Sequence, residues 1–154
     1  MHGVHLSDEE IGLFDKSGVN ITHCPRSNLK LASGIAPVSR YREAGINVAI
    51  GTDGAASNNT LDMLAEMRTT AQLAKGTTGD AAMISANTAL QMATLDSAAP
   101  LGLAHEAGSV VPGKWADLAC VDLNRLHSQP VYDPLSQLVY TARADQGHRR
   151  LNSW

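Results

Sequence analysis

An α/β fold built from parallel strand and helix units is predicted by three observations. Gly45-Ile46-Asn47-Val48-Ala49-Ile50-Gly51 sets three β-branched residues between glycines, the composition of a short strand packed on both faces of a parallel sheet. Strand signals alternate with helix signals over short connections, an order in which each helix returns the chain to the same end of the sheet. Asp53 then follows the apolar run directly, and the carboxyl ends of parallel strands are where catalytic and ligand-binding groups gather. By its residues alone Asp53 is a candidate ligand or proton carrier, and equally a helix cap or the Asp of an Asp-Gly turn.

Each element has its own local reason. Ser7-Asp8-Glu9-Glu10 has capping-box spacing, and Ile11, Leu13 and Phe14 follow before Gly18, so a short crossover helix is expected. Val19 to Cys24 alternates β-branched and polar residues and then meets Pro25, which cannot donate to a ladder; the strand is expected to end at His23 or Cys24. Pro25 to Gly34 is polar and reads as a loop, whereas Pro37 opens a helix that runs to Gly45. Asn59 or Thr60 caps the next helix, which reaches about Lys75 with Leu61, Leu64 and Ala65 on one face. Met63 and Met67 lie on an adjacent face and read as adaptable core filler. Gly76-Thr77-Thr78-Gly79 breaks the chain, Asp80 caps a helix through about Met92, and Pro100 ends or kinks a further short helix from Asp96. Leu118 to Val121 reads as a short buried strand after the Pro112-Gly113 turn.

Composition bounds the partners. Hydrophobic content of 44% with 18% charged residues is that of a globular protein. A net charge of −3 and a pI near 6.0 argue against a nucleic-acid partner and fit a small-molecule substrate better. There is no apolar run approaching ~18 residues and no charged apolar leader, so neither a membrane span nor a secretory signal is expected, and the expected compartment is the cytoplasm. Cys24 and Cys120 both fall in apparent strands and read as reduced, packed thiols.

Gly51-Thr52-Asp53-Gly54-Ala55-Ala56-Ser57-Asn58-Asn59 resembles the last barrel strand of the amidohydrolase superfamily, most closely its methylthioadenosine/S-adenosylhomocysteine deaminase branch. His23-Cys24-Pro25-Arg26-Ser27-Asn28-Leu29-Lys30-Leu31-Ala32-Ser33-Gly34 and Met1-His2-Gly3-Val4-His5-Leu6 carry the same likeness, which runs to about residue 146. The resemblance implies that residues 1–105 are the C-terminal part of a (β/α)8 metal-dependent hydrolase barrel, about strands six to eight. It makes 106–146 part of a small β-sandwich and 147–154 an atypical tail, truncated or frame-shifted. A complete barrel needs about 250 residues, so the chain of 154 is expected to be part of a larger enzyme whose amino-terminal half is missing.

The same resemblance assigns the chemistry. Asp53 is implied to bind one divalent metal, usually zinc, and to take a proton from the attacking water. His2, 51 positions earlier, is implied to contact that water or the substrate. His5 shares the expected strand with His2 and points to its opposite face. His23 is a substrate contact or a structural hydrogen-bonding group, Ser57 orients the carboxylate or the substrate or is a plain cap, and Ser27 and Asn28 hold their own loop. His105, His127 and His148 are assigned to surface or loop positions. The family's His-x-His pair, later His and proton-shuttling Glu have no counterpart here. Since such metal sites rest on about three protein ligands, the chain alone is expected to be inactive. The implied reaction is removal of ammonia from an adenine nucleoside such as 5'-methylthioadenosine or S-adenosylhomocysteine, by an enzyme expected to be a homo-oligomer. A guanine deaminase or triazine-type chlorohydrolase, and a non-catalytic remnant serving as a packing or interaction module, are the alternatives.

Overall fold

The computed structural model describes residues 2–151, with the side chains of 148–151 excepted. Met1 and the last three residues of the expected tail lie outside the described residues. Helix α1 (Asp8–Lys16) starts on the expected capping box, Ser7 accepting the Glu10 N–H while the Glu10 carboxylate accepts the Ser7 N–H. Strand β1 (Ile21–His23) leads into α2 (Pro25–Lys30), α3 (Val38–Glu43) follows Pro37, and β2 (Val48–Ile50) is buried throughout. The two strands pair in parallel, with Ile21 opposite Val48 and His23 opposite Ile50.

After β2 come a single turn, α4 (Ala55–Asn58), and the long helix α5 (Met63–Thr78). Helices α6 (Ala86–Ala93) and α7 (Leu95–Ala98) pack against β2, and a 3-10 turn, Ala99–Leu101, carries Pro100 and ends that run. Beyond it, β3 (Leu118–Val121), α8 (Pro134–Tyr140) and β4 (Gly147–Leu151) complete the described chain, β3 and β4 pairing antiparallel. Ile21, Val48 and Ile50 meet Tyr41, Met67, Ala71, Met92 and Val139 in one core. Burying such side chains is worth about 1.5–3 kcal/mol each.

Ser97 closes the edge of β2 that faces away from β1. Its hydroxyl accepts the Ile50 N–H at 3.2 Å and donates to the Met92 carbonyl at 2.6 Å. At the amino ends of the strands, Asn47 bridges Asn20 (2.7 Å) and the Asp96 carbonyl (2.9 Å), while Asp96 accepts from Arg42 and Gln91 at 3.0 Å each.

Several local expectations are corrected. Residues 25–30 are helical, because Pro25 sits at the first helical position, where its missing N–H costs nothing. Asp62, and neither Asn59 nor Thr60, caps α5 by accepting the Leu64 and Ala65 N–H groups, so Leu61 is left outside the helix and exposed. That helix continues through Gly76 to Thr78 and stops at Gly79 in the left-handed conformation. Ser85 caps α6 in place of Asp80, which closes a turn onto the Ala82 N–H. Residues 2–6 form no strand; the His2 N–H alone reaches the Thr22 carbonyl beside β1, at 2.9 Å. Strand β3 is not buried, and Cys120 on it is exposed, whereas Cys24 is fully buried.

The most buried charge is Glu66, fully enclosed on α5. Its carboxylate accepts the Asn58 amide at 2.7 Å and the Arg26 N–H at 3.3 Å, with the Arg26 Nε at 4.0 Å. Burial pushes the Glu66 carboxyl up, against the downward pull of Asn58 and Arg26. Asn58 passes the constraint on by donating also to the Thr52 carbonyl at 2.6 Å. Truncating one member of such a buried network strands its partners, so Glu66→Ala is expected to lower the unfolding free energy by about 3–5 kcal/mol. Glu66→Gln, which keeps the acceptor, is expected to lose less; urea unfolding of both variants measures the difference.

Candidate active site

The site forms where β1 and β2 end. Gly51 leaves β2 close against β1, since a Cβ there would meet the Thr22 methyl at 2.9 Å. The chain then turns through Asp53 in the left-handed region, at φ 60. His2 is left-handed as well, at φ 66. For residues other than glycine this conformation carries strain, and strained backbone clusters at functional sites.

Five side chains converge there. Ser27 and Ser57 both donate to Asp53 Oδ2, at 2.6 and 2.8 Å, and His2 Nε2 stands 3.9 Å from the same oxygen. Asn28 Oδ1 lies 2.8 Å from the other ring nitrogen of His2. The serine hydroxyls, the Gly54 N–H and His2 together hold the Asp53 carboxyl down at about 2, so it is ionised throughout the neutral range. His2, Asn28, Ser27 and Asp53 line a cavity of about 480 Å³, walled on its apolar side by Val4, Leu6 and Leu31.

Sequence reasoning placed Ser27 and Asn28 on their own backbone. The structure turns both side chains away from it, because the first turn of α2 points Ser27 at Asp53 and Asn28 at His2. The signal that finds them is Pro25 read as a helix start. His2 and His5 both line the cavity, so the opposite-face expectation fails together with the strand that motivated it.

His23 does not line this cavity. It is buried at the end of β1, and its Nδ1 has no hydrogen-bond partner among the described residues. Burial first, and the neighbouring His2 second, lower its imidazole to about 4. The Cys24 thiol is pushed up to about 11, chiefly by burial and then by Asp53 and Glu66, and is an inert packed group. His105 is exposed beside Glu106, and His127 is 3.1 Å from the Gln146 amide oxygen, both away from the site. The side chain of His148 lies outside the described set.

Among the described residues no three His, Cys, Asp or Glu side chains gather where they could hold a metal ion. His2 and Asp53 offer one imidazole and one carboxylate, short of the roughly three protein ligands of a catalytic zinc centre. These residues alone do not complete such a site. No helix among the described residues is long and apolar enough to cross a membrane.

Residues 1–146 match the amidohydrolase family. The chain is 51% identical over 99% of its length to a 5-methylthioadenosine/S-adenosylhomocysteine deaminase of Teredinibacter turnerae, covering 35% of that protein. It is 56% identical over 92% of its length to the enzyme of the same name from Moorella thermoacetica, covering 33% of it. The chain thus spans about a third of the length of the curated relatives it matches. Among solved structures, an adenosine deaminase from Xanthomonas campestris with bound zinc is 48% identical over 98% of the chain and 34% of its own, with a TM-score of 0.94. A zinc-complexed atrazine chlorohydrolase from Arthrobacter aurescens is 33% identical, with a TM-score of 0.91 over 98% of this chain and 34% of its own. A guanine deaminase from E. coli is 26% identical, with a TM-score of 0.86 over 98% and 36%.

The buried His23 gives the fold a pH dependence of definite sign. Above the ordinary value of 6.5 the folded and unfolded chains both carry it neutral, and its contribution is fully present. Between 6.5 and about 4 the unfolded chain takes a proton that the folded one refuses, so stability falls with pH. The shift corresponds to about 3 kcal/mol. Urea unfolding at pH 7.5 and at pH 4.5 is expected to show a loss of roughly that size, and His23→Phe to remove most of it.

Proposed function

This chain belongs to the amidohydrolase family, and we propose that it is the carboxyl-terminal part of a metal-dependent aminohydrolase that releases ammonia from the adenine ring of methylthioadenosine- or S-adenosylhomocysteine-like nucleosides. The observation that carries this reading is the convergence of His2, Ser27, Asp53 and Ser57 at the ends of two parallel strands beside an open cavity. The higher identity to the thio-nucleoside deaminases than to the triazine and guanine enzymes favours that branch. In this reading β1 and β2 belong to a (β/α)8 barrel within residues 1–105, β3 to a small sandwich within 106–146, and the whole enzyme works in the cytoplasm with zinc.

The roles of the residues follow from their chemistry. Asp53 contributes a permanent negative charge, held in one orientation by two hydroxyls. A carboxylate near 2 cannot deprotonate bulk water, whose value is about 15.7. Proton transfer to Asp53 therefore requires a water acidified by groups outside this chain, which is a physical reason for the isolated chain to be inactive. A zinc ion, when bound by the complete enzyme, would supply that acidification. His2 faces the same space and contacts water or substrate, Ser57 and Ser27 orient Asp53, and His23 supports the strand end from behind.

Two measurements test the proposal. The chain joined to the amino-terminal two-thirds of the Teredinibacter relative is expected to release ammonia from methylthioadenosine and S-adenosylhomocysteine, and not from guanine or chlorotriazines. Asp53→Asn is expected to lower the rate by at least about 10²-fold; a folded, inactive chimaera would instead favour a non-catalytic remnant. Zinc titrated calorimetrically into the chain alone is expected to give no stoichiometric binding. Tight binding abolished by Asp53→Ala would show that these residues complete a metal site unaided.

A further inference from the structure

Asn28 stands behind His2 without touching Asp53 and is accounted for by neither the fold nor the proposed reaction. It is almost fully buried, at 2% exposure, and lines the cavity, with its carbonyl oxygen 2.8 Å from His2 Nδ1. Its amide nitrogen has no hydrogen-bond partner among the described residues. An amide oxygen only accepts, so this contact requires a proton on Nδ1, and the neutral ring is then left with a bare lone pair on Nε2.

The opposite side of the ring agrees independently. A protonated Nε2 beside a carboxylate closes to about 2.7–3.2 Å. His2 Nε2 instead stands 3.9 Å from Asp53 Oδ2, beyond direct hydrogen-bonding range. That oxygen already receives the Ser27 and Ser57 hydroxyls. Two acceptors bridged by the two protons of one water molecule lie roughly 4.4 Å apart for hydrogen bonds of about 2.8 Å. The observed gap is within half an ångström of that span.

We infer that Asn28 is a positioning residue that fixes the tautomer of His2, holding the ring as Nδ1–H so that Nε2 and Asp53 present two acceptors to a single donor between them. His2 thereby receives a hydrogen bond from whatever occupies that gap and does not give one to the carboxylate. The use of this arrangement in deamination rests on the proposed function; the tautomer does not. Asn28 acts through the ring.

Long-range proton–nitrogen spectra of the nitrogen-15-labelled chain, recorded well above the ordinary histidine range near 6.5, read the tautomer directly. The His2 pair is identified by its loss in His2→Gln. In the unaltered chain Nδ1 is expected at a protonated-nitrogen shift and Nε2 at a bare-nitrogen shift. Asn28→Leu, which removes the acceptor, is expected to exchange the two, because a free histidine side chain favours Nε2–H; Asn28→Asp, which keeps an acceptor, is expected to retain the original pattern. An Nε2–H ring in the unaltered chain overturns the inference, as does an unchanged pattern in folded Asn28→Leu. Should the leucine variant not fold, the unaltered chain and Asn28→Asp decide the matter. A chimaera without deaminase activity leaves this readout unaffected.

Discussion

The site depends on one buried carboxylate that never touches the cavity. Glu66 on α5 holds the amino end of α2 through the Arg26 N–H and holds α4 through Asn58, whose amide also grips the Thr52 carbonyl. Those segments carry Ser27 and Asn28, Ser57, and Asp53 respectively. An ionised group enclosed in protein costs several kcal/mol unless neighbours satisfy it. Here the neighbours that satisfy it belong to the chain segments that must be held together, so satisfying the charge and building the site are one event. Helix α2 has no side-chain cap of its own, and the remote carboxylate serves in its place.

The strand ends also separate two titratable groups by environment. Asp53 keeps contact with solvent and collects hydroxyl and backbone donors, which keep its charge on. His23, one strand away, is enclosed, and burial first and His2 second keep its charge off. Both values are pushed down, so near neutrality the carboxylate is held charged and the imidazole neutral. Among the described residues, three of the four buried side-chain atoms left unpaired, on His23, Asn28 and Asn58, belong to residues at the site or in the network behind it. That distribution fits a site under constraint and contrasts with the apolar core around Tyr41 and Met92.

What the sequence disclosed and what it hid divide along physical lines. The parallel strand 48–50 and the placement of Asp53 after it were legible because an apolar β-branched run has few alternatives. The capping box of α1 was legible because both its bonds are local. Ser27 and Asn28 are obscured because one proline carries two meanings, ending a strand and starting a helix. Glu66 was invisible: a glutamate on a long helix is ordinarily solvated, and nothing nearby in the chain signals that Arg26, forty residues earlier, and Asn58 will enclose it. Strand β3 was misjudged as buried because its apolar composition says nothing about which surface exists to cover it, and its only strand partner among the described residues is β4.

The hydroxyl that closes the outer edge of β2 separates two kinds of protection usually found together. In a laddered sheet a backbone amide becomes available to solvent only when strands part, so its exchange reports cooperative opening. The Ile50 amide is instead held by the rotamer of one serine, and Gly51 beside it is held by β1. A single side-chain torsion can release the first while the parallel pair stays intact. The amides of Ile50, the last residue of β2, and of Gly51 just after it thus belong to different dynamic regimes, one set by a rotamer hop and the other by unfolding.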